Sequence, residues 1–241
     1  VTSSVPAVCS GAPVTINSGL SAGNFSVAPI AIGMQPVPSS AVTLVANGAA
    51  VVPQATVSLD DGGWAALPIG FTFNYFGNNH TTINIGTNAT VHLGTYTAAS
   101  LTDFTFTTFP SLLEPASVIG AACHDINFAA SAGALNGSIK YWTQGYAPNR
   151  RFIVQYENVR AYNSSGATAK YTTNQIHLLE TLGIVEVHIL SSNATYNKVV
   201  GLQDQTRTIG AVAIATTGAI TNLAWRFSPP SNFSTIWTAN G

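Results

Sequence analysis

The sequence predicts an all-β fold: an antiparallel β-sandwich, jelly-roll-like, with few or no helices. Three observations carry this. Apolar residues alternate in short runs, as in GFTFNYFG, instead of recurring at the three-to-four spacing of an amphipathic helix. Gly, Asn and Pro interrupt the runs and supply turn chemistry. Charged residues make up only 7% of the 241-residue chain, against roughly a quarter in an average protein, and Thr, Ser, Asn, Gln and Gly carry the polarity instead. Such a surface is common in extracellular, capsid and fibre-like proteins and rare in cytosolic enzymes.

The elements follow in order. Residues 1–63 read as an N-terminal extended arm or a small Ig-like strand segment. Within it CSGAPVTI suits a short strand, and the prolines of the Pro/Ala/Val-rich run after Ser26 restrict it to edge strands and extended loops. Such an arm could lie over the main body or over a neighbouring molecule. Residues 64–228 read as the main sandwich. In ALPIGFTFNYFGNNHTTINIGTNATVHLG, three strands are separated by GNN and GTN turns, with Phe71, Phe73 and Tyr75 on one face. SVIGAACHDINF is nearly all apolar and suits a central strand. GSIKYWTQ and RRFIVQYENV flank a GYAPN turn; Phe152, Val154 and Tyr156 then share one face, and Ile153, Gln155 and Glu157 the other.

YTTNQIHLLE and GIVEVHILSS form the clearest hairpin. With Leu182-Gly183 as its loop, Leu178 faces Val187 and Ile176 faces Ile189. His177 then meets His188, and Leu179 meets Glu186, on a mixed outer face. KVVGLQD, IGAVAIAT and LAWRFSP complete the series, and residues 229–241 read as a C-terminal strand or linker.

The net charge of −1 gives weak long-range steering towards nucleic acids or anionic membranes. No apolar run reaches the roughly 18 residues of a membrane-spanning helix. Neither a nucleic-acid partner nor membrane insertion is expected. All eight basic residues lie between Lys140 and Arg226, and Arg150, Arg151 and Arg160 are bunched. Cys9 and Cys123 could close a long disulfide loop in a secreted chain, or be two unrelated buried thiols. Seven Asn-x-Ser/Thr sequons, at Asn24, Asn79, Asn88, Asn136, Asn163, Asn193 and Asn232, fit the abundance of those residues without a glycan being required.

No catalytic residue is assigned. The chain has no G-x-S-x-G elbow, P-loop or dinucleotide-binding glycine motif. Cys123 and His124 are adjacent in a strand, so their side chains diverge. His177, Glu186 and His188 form a metal-type set, although surface histidines on paired strands are the commoner reason for one. No cofactor is expected; calcium is the one for which oxygen ligands are at hand, from Asp60, Asp61 and Asp125. Trp142 and Tyr141 are the aromatic ligand-binding candidates, for stacking on sugar rings. Arg150 and Arg151 are candidates for an acidic ligand, but read first as anchors that fork onto carboxylates or turn carbonyls.

The order GFTFNYFGNNHTTINIGTNATVHLG, VIGAACHDINF, GSIKYWTQGYAPNRRFIVQYENVRAYN, NQIHLLETLGIVEVHI, VVGLQDQTRTIGAV resembles an extracellular β-sandwich domain of large Bacteroidota surface proteins. Many of these are adhesin-like and use the gliding-associated type IX secretion route; the domain is distantly similar to the nidogen type. The resemblance covers roughly residues 64–215. HDIN stands where an acidic WDDL is usual, which weakens a metal reading of Asp125. The resemblance implies a non-enzymatic cell-surface protein, structural or adhesive, with a filament or layer assembled by strand addition as one form. Its partners would be other copies of itself, neighbouring domains of a longer chain, or glycans. A carbohydrate-binding module is the alternative.

Overall fold

Fourteen strands make up nearly all the secondary structure of the computed structural model, which describes residues 24–52, 58–95, 101–129 and 137–230. They are β1 (Ser26–Ile30), β2 (Val42–Ala46), β3 (Ala49–Ala50), β4 (Gly63–Tyr75), β5 (Asn78–Gly86), β6 (Thr90–Leu93) and β7 (Val118–Cys123). Then come β8 (Ser138–Gln144), β9 (Arg151–Arg160), β10 (Tyr171–Leu179), β11 (Ile184–Ser192), β12 (Lys198–Gln203), β13 (Gly210–Thr216) and β14 (Ile220–Ser228). No α-helix occurs among the described residues; a 3-10 turn spans Gly166–Thr168.

The strands form two antiparallel sheets. The larger has the order β1-β14-β11-β10-β9-β8-β2-β3 and the smaller β13-β12-β7-β6-β5-β4. Their facing sides form one core, because strand alternation delivers a row of large side chains from each. Phe71, Phe73, Tyr75 and Ile85 of the small sheet meet Phe152, Val154, Tyr156, Ile176, Leu178 and Phe227 of the large one. Each such side chain taken from water contributes about 1.5–3 kcal/mol. Polar groups inside this core are tied across it. The Tyr156 hydroxyl sits 2.7 Å from Gly86 O, and Asn174 Nδ2 donates to Ala121 O at 2.6 Å.

The β10–β11 hairpin has the expected faces but a different register. Leu178 pairs with Val185, Ile176 with Val187 and His177 with Glu186, because the loop is four residues, Glu180 to Gly183. Thr181 (φ 68°) and Gly183 (φ 59°) take left-handed conformations that close this longer loop. The shift is two residues, so no side chain changes face.

Of the arm or small Ig-like segment expected over residues 1–63, the part described from residue 24 on is built into the large sheet. Strand β1 pairs with β14, β2 pairs with β8, and β3 follows β2, so this segment supplies both ends of the large sheet. Residues 31–41 must then cross the sheet's outer face. Six inter-strand steps of about 4.8 Å are roughly 29 Å, and eleven residues reach roughly 36 Å when extended. The crossing is therefore a near-straight strap, and Pro36 and Pro38 suit it. The CSGAPVTI segment and the last eleven residues lie outside the described residues.

Candidate functional site

The arginine-rich turn between β8 and β9 is a structural fastening. Arg150 forks onto Glu180 at the end of β10, with Nε donating to Oε2 at 2.7 Å and Nη2 to Oε1. Its Nη1 donates to Gly70 O of β4 at 2.7 Å, and the guanidinium lies 5.4 Å from the Phe71 ring centre. The hydrogen bonds from Arg150 hold the Glu180 carboxyl below its usual pKa. Thr143 Oγ1 also donates to the neighbouring Ile69 O, at 2.6 Å. Both contacts cap the outer edge of β4, which would otherwise present free backbone carbonyls.

Under the strap lies a buried polar face. Antiparallel register sets Trp142, Ile153, His177, Glu186 and Arg226 in one row across five strands. Gln155, Gln175 and His188 stand in the adjoining row. Glu186 is nearly inaccessible, and Arg226 donates to its Oε1 through Nε at 2.9 Å and Nη2 at 2.6 Å. Its Oε2 lies 3.7 Å from Arg151 Nη2, 3.7 Å from His177 Nδ1 and 3.5 Å from His188 Nε2. Burial alone would raise the Glu186 pKa; the hydrogen bonds from Arg226 and the charge of Arg151 instead hold it well below the carboxylate range. Burial pushes His177 down to about 4, so it is neutral at pH 7. These histidines were expected at the surface. The strap buries them: Gly33 N donates to His188 Nδ1 at 3.1 Å, Gln35 N to Gln175 Oε1 at 2.8 Å, and Gln175 Nε2 to Gln35 O at 2.8 Å.

The hydrogen bonds also decide what this set can bind. Gln175 Oε1 already accepts from a backbone amide, so His177 Nε2, 2.8 Å away, must carry its proton and donate to it. That frees His177 Nδ1. His188 is the reverse: Nδ1 accepts from Gly33, so the proton sits on Nε2, the atom that faces Glu186. Two arginines already balance the one carboxylate. The donor set therefore does not fit a metal ion while the strap is seated.

The structure brings the calcium candidates together. Asp60 and Asp61 precede β4, Asp125 follows β7, and one oxygen from each lies within 4.8 Å of the others. Asn88 Nδ2 donates to Asp61 Oδ1 at 2.9 Å; Asp60 Oδ1 is shut from solvent with no hydrogen-bond partner among the described residues. Burial, then the charges of Asp61 and Asp60, push Asp125 up to about 7. Three crowded carboxylates either share a proton at neutral pH or are neutralised by a hard cation. The donor type suits calcium; the nearby Arg160, whose charge lowers the Asp60 pKa, works against it.

The NIDO-related family matches residues 38–239, a span that takes in every strand from β2 to β14. The chain belongs to the NIDO-related family. No curated protein and no solved structure matches it. For this NIDO-related domain the family points to an extracellular structural type of module.

Other expected site residues of the NIDO-related domain are placed differently. Trp142 is 3% exposed, with Nε1 donating to Gln144 Oε1, so it offers no ring face to a sugar. Tyr141 is half-buried, its ring 5.7 Å from that of Phe152. Both were read as an exposed platform, but alternation along β8 turns Trp142 to the covered outer face and Tyr141 to the core. Arg150 and Arg151 are held by Glu180 and Glu186. Cys123 is a free, buried thiol against Val199 O, which leaves the expected bridge unsupported; Cys9 lies outside the described residues. Asn88 is buried between Asp61 and Ile126 N and has no room for a glycan, whereas Asn24, Asn79, Asn163 and Asn193 are exposed. Gly33, Gln35 and Arg226, which complete the Glu186 network, carried no signal in the sequence beyond residue type.

Proposed function

We propose that this NIDO-related domain is a non-enzymatic module of an extracellular, bacterial cell-surface protein, with a structural or adhesive role. The observation that carries the reading is the family match across residues 38–239. The low charge and Thr/Asn/Ser-rich surface support it. Partners would be neighbouring domains, other copies of the chain, or surface glycans.

Assembly into a filament or layer by strand addition would need an open sheet edge. Strand β4 is capped by Arg150 and Thr143, β3 has two residues, and β1 contains Pro29, which has no N–H to offer. Strand β13 is uncharged and is the most open end, but its pairing slips at Ala213, where Gly201 opposes Val212 and Val200 opposes Ile214. Strand addition would therefore have to use β13. The test is antibody labelling of intact cells of the source organism, followed by deletion of the gene segment. Labelling of intact cells with loss of attachment or cohesion is the expected result. Labelling only after lysis, or turnover of a hydrolase substrate panel, overturns the reading.

A further inference from the structure

Two clefts adjoin at the tip of the β4–β5 hairpin. One, of about 410 Å³, is lined by Phe76, Asn79, His80, Thr95 and Gln205 among others. The second, of about 320 Å³, shares Asn79, His80, Gly94 and Thr95 with it and continues past Thr82 and Ala66. Both volumes are in the range of small-ligand sites. Among the described residues, no Asp, Glu, Lys or Arg lines either cleft.

The walls have hydrogen-bonding capacity to spare. Asn79 Oδ1 accepts from Asn74 Nδ2 and Gln205 Oε1 from Ser117 Oγ, which leaves both amide nitrogens without a partner among the described residues. Burial lowers the pKa of His80, so its ring is neutral at pH 7 and presents one donor and one acceptor. The Thr95 and Thr82 hydroxyls are exposed. An aromatic ring sits at the rim. Phe76 occupies the first position of the two-residue turn Phe76-Gly77 at φ 47°, a conformation unfavourable for a bulky side chain and usually given to Asn or Gly. Its ring is fixed 4.7 Å from Phe25 and 4.8 Å from Tyr75 and stays half-exposed. Unfavourable backbone at a site's rim is a recurring mark of function.

Neutral amides, hydroxyls and imidazole beside one aromatic face match a neutral sugar, whose hydroxyls both donate and accept and whose C–H face is apolar. A phosphate or a sialic acid would need the cations that are lacking here. We propose that the paired clefts bind a neutral disaccharide, one ring in each, with Asn79 and His80 on the shared wall. The site lies away from Trp142 and Tyr141. It gives a ligand class to the adhesive reading above and rests on that reading only for its biological setting.

The test uses the full chain. Methyl glucoside, methyl galactoside, cellobiose, lactose, mannobiose and chitobiose are titrated with ligand-observed NMR detection, alongside Asn79→Ala and Phe76→Asn. Asn suits the left-handed turn position, so the second variant removes the ring without straining the hairpin. At least one disaccharide should bind, more tightly than its monosaccharide, and each variant should weaken it tenfold or more while the β-sheet circular dichroism at the titration temperature is unchanged. Failure of every sugar to bind overturns the site and leaves the surface-module reading standing. Binding unchanged in both variants overturns it as well. If binding persists but cells label only after lysis, the surface reading falls and the site survives.

Discussion

Glu186 organises the polar outer face of the large sheet. It is buried, with Arg226 on one oxygen and His177, His188 and Arg151 about the other. Removing one partner from a buried charge network leaves the others uncompensated. Glu186→Gln is expected to cost about 3 kcal/mol, read by urea unfolding at pH 7. Asp125 should behave in the opposite way. Its folded-state pKa is raised to about 7, so near neutral pH the carboxylate works against folding. Asp125→Asn should raise the melting temperature at pH 7.5 and lose that advantage progressively as the pH falls to about 4. Added calcium should raise the wild-type melting temperature and not that of the variant, if the triad's charge is met by a cation; an unchanged wild type assigns the triad to a shared proton. Little of this was legible beforehand. Asp60, Asp61 and Asp125 stood out as acids in an acid-poor chain, but their meeting depends on how β4 and β7 are placed in the small sheet.

At the level of elements, alternation was readable wherever one face of a strand meets the core, as in Phe152, Val154 and Tyr156. It was silent in two ways. A two-residue shift leaves every face unchanged, so the β10–β11 register could not be read from pattern alone. The second failure was the outer face of the large sheet. His177, Gln175 and Glu186 have the composition of a wet surface, yet their cover arrives from residues some 140 positions earlier. The strap meets them through hydrogen bonds more than apolar burial, so its seat resembles ordinary polar surface in the sequence. Gln35→Pro removes the amide that donates to Gln175 and should loosen the strap. Hydrogen exchange at Gly33 and reactivity of His188 towards an imidazole reagent should both rise, with the core strands still protected. Deleting residues 1–63 removes β1, β2, β3 and the strap together, and an unfolded or aggregated product is expected in place of a smaller stable sandwich.

Across the whole molecule, three deeply buried histidines are kept neutral by folding. Burial pushes His92 down to about 3, and His124 and His177 to about 4. The unfolded chain takes up those protons below about 6.5, while the folded chain refuses them until near 4 or lower. Stability therefore falls as pH drops through that window, by on the order of 3 kcal/mol per histidine. Glu186, held low when folded, adds to the loss below its unfolded pKa. Asp125 opposes it, since acidification from about 7 favours its protonated folded form, but one half-buried carboxyl is outweighed by three buried rings. Against a typical total of about 5–15 kcal/mol, acid unfolding is expected between about pH 4 and 5. Urea midpoints at pH 7.5, 6, 5 and 4.5 should fall steadily; a flat profile would show that the histidines are solvated.

Strand β1 runs antiparallel to β14, with Ser26 opposite Ser228, so the described residues begin and end at one corner, side by side. Tension applied through those two points cannot shear the sheets past one another. It opens a zipper, parting Ser26 from Ser228 first and reaching Ile30 and Ala224 last, one rung at a time. The strap is next in line, and its departure would uncover His188 and Gln175 while the two-sheet core still stands. In a chain held at both ends this makes residues 26–41 a low-force extensible element ahead of a resistant body. Single-molecule pulling from residues 24 and 230 should show a small early lengthening before the main rupture, and a single high-force event would rule that order out.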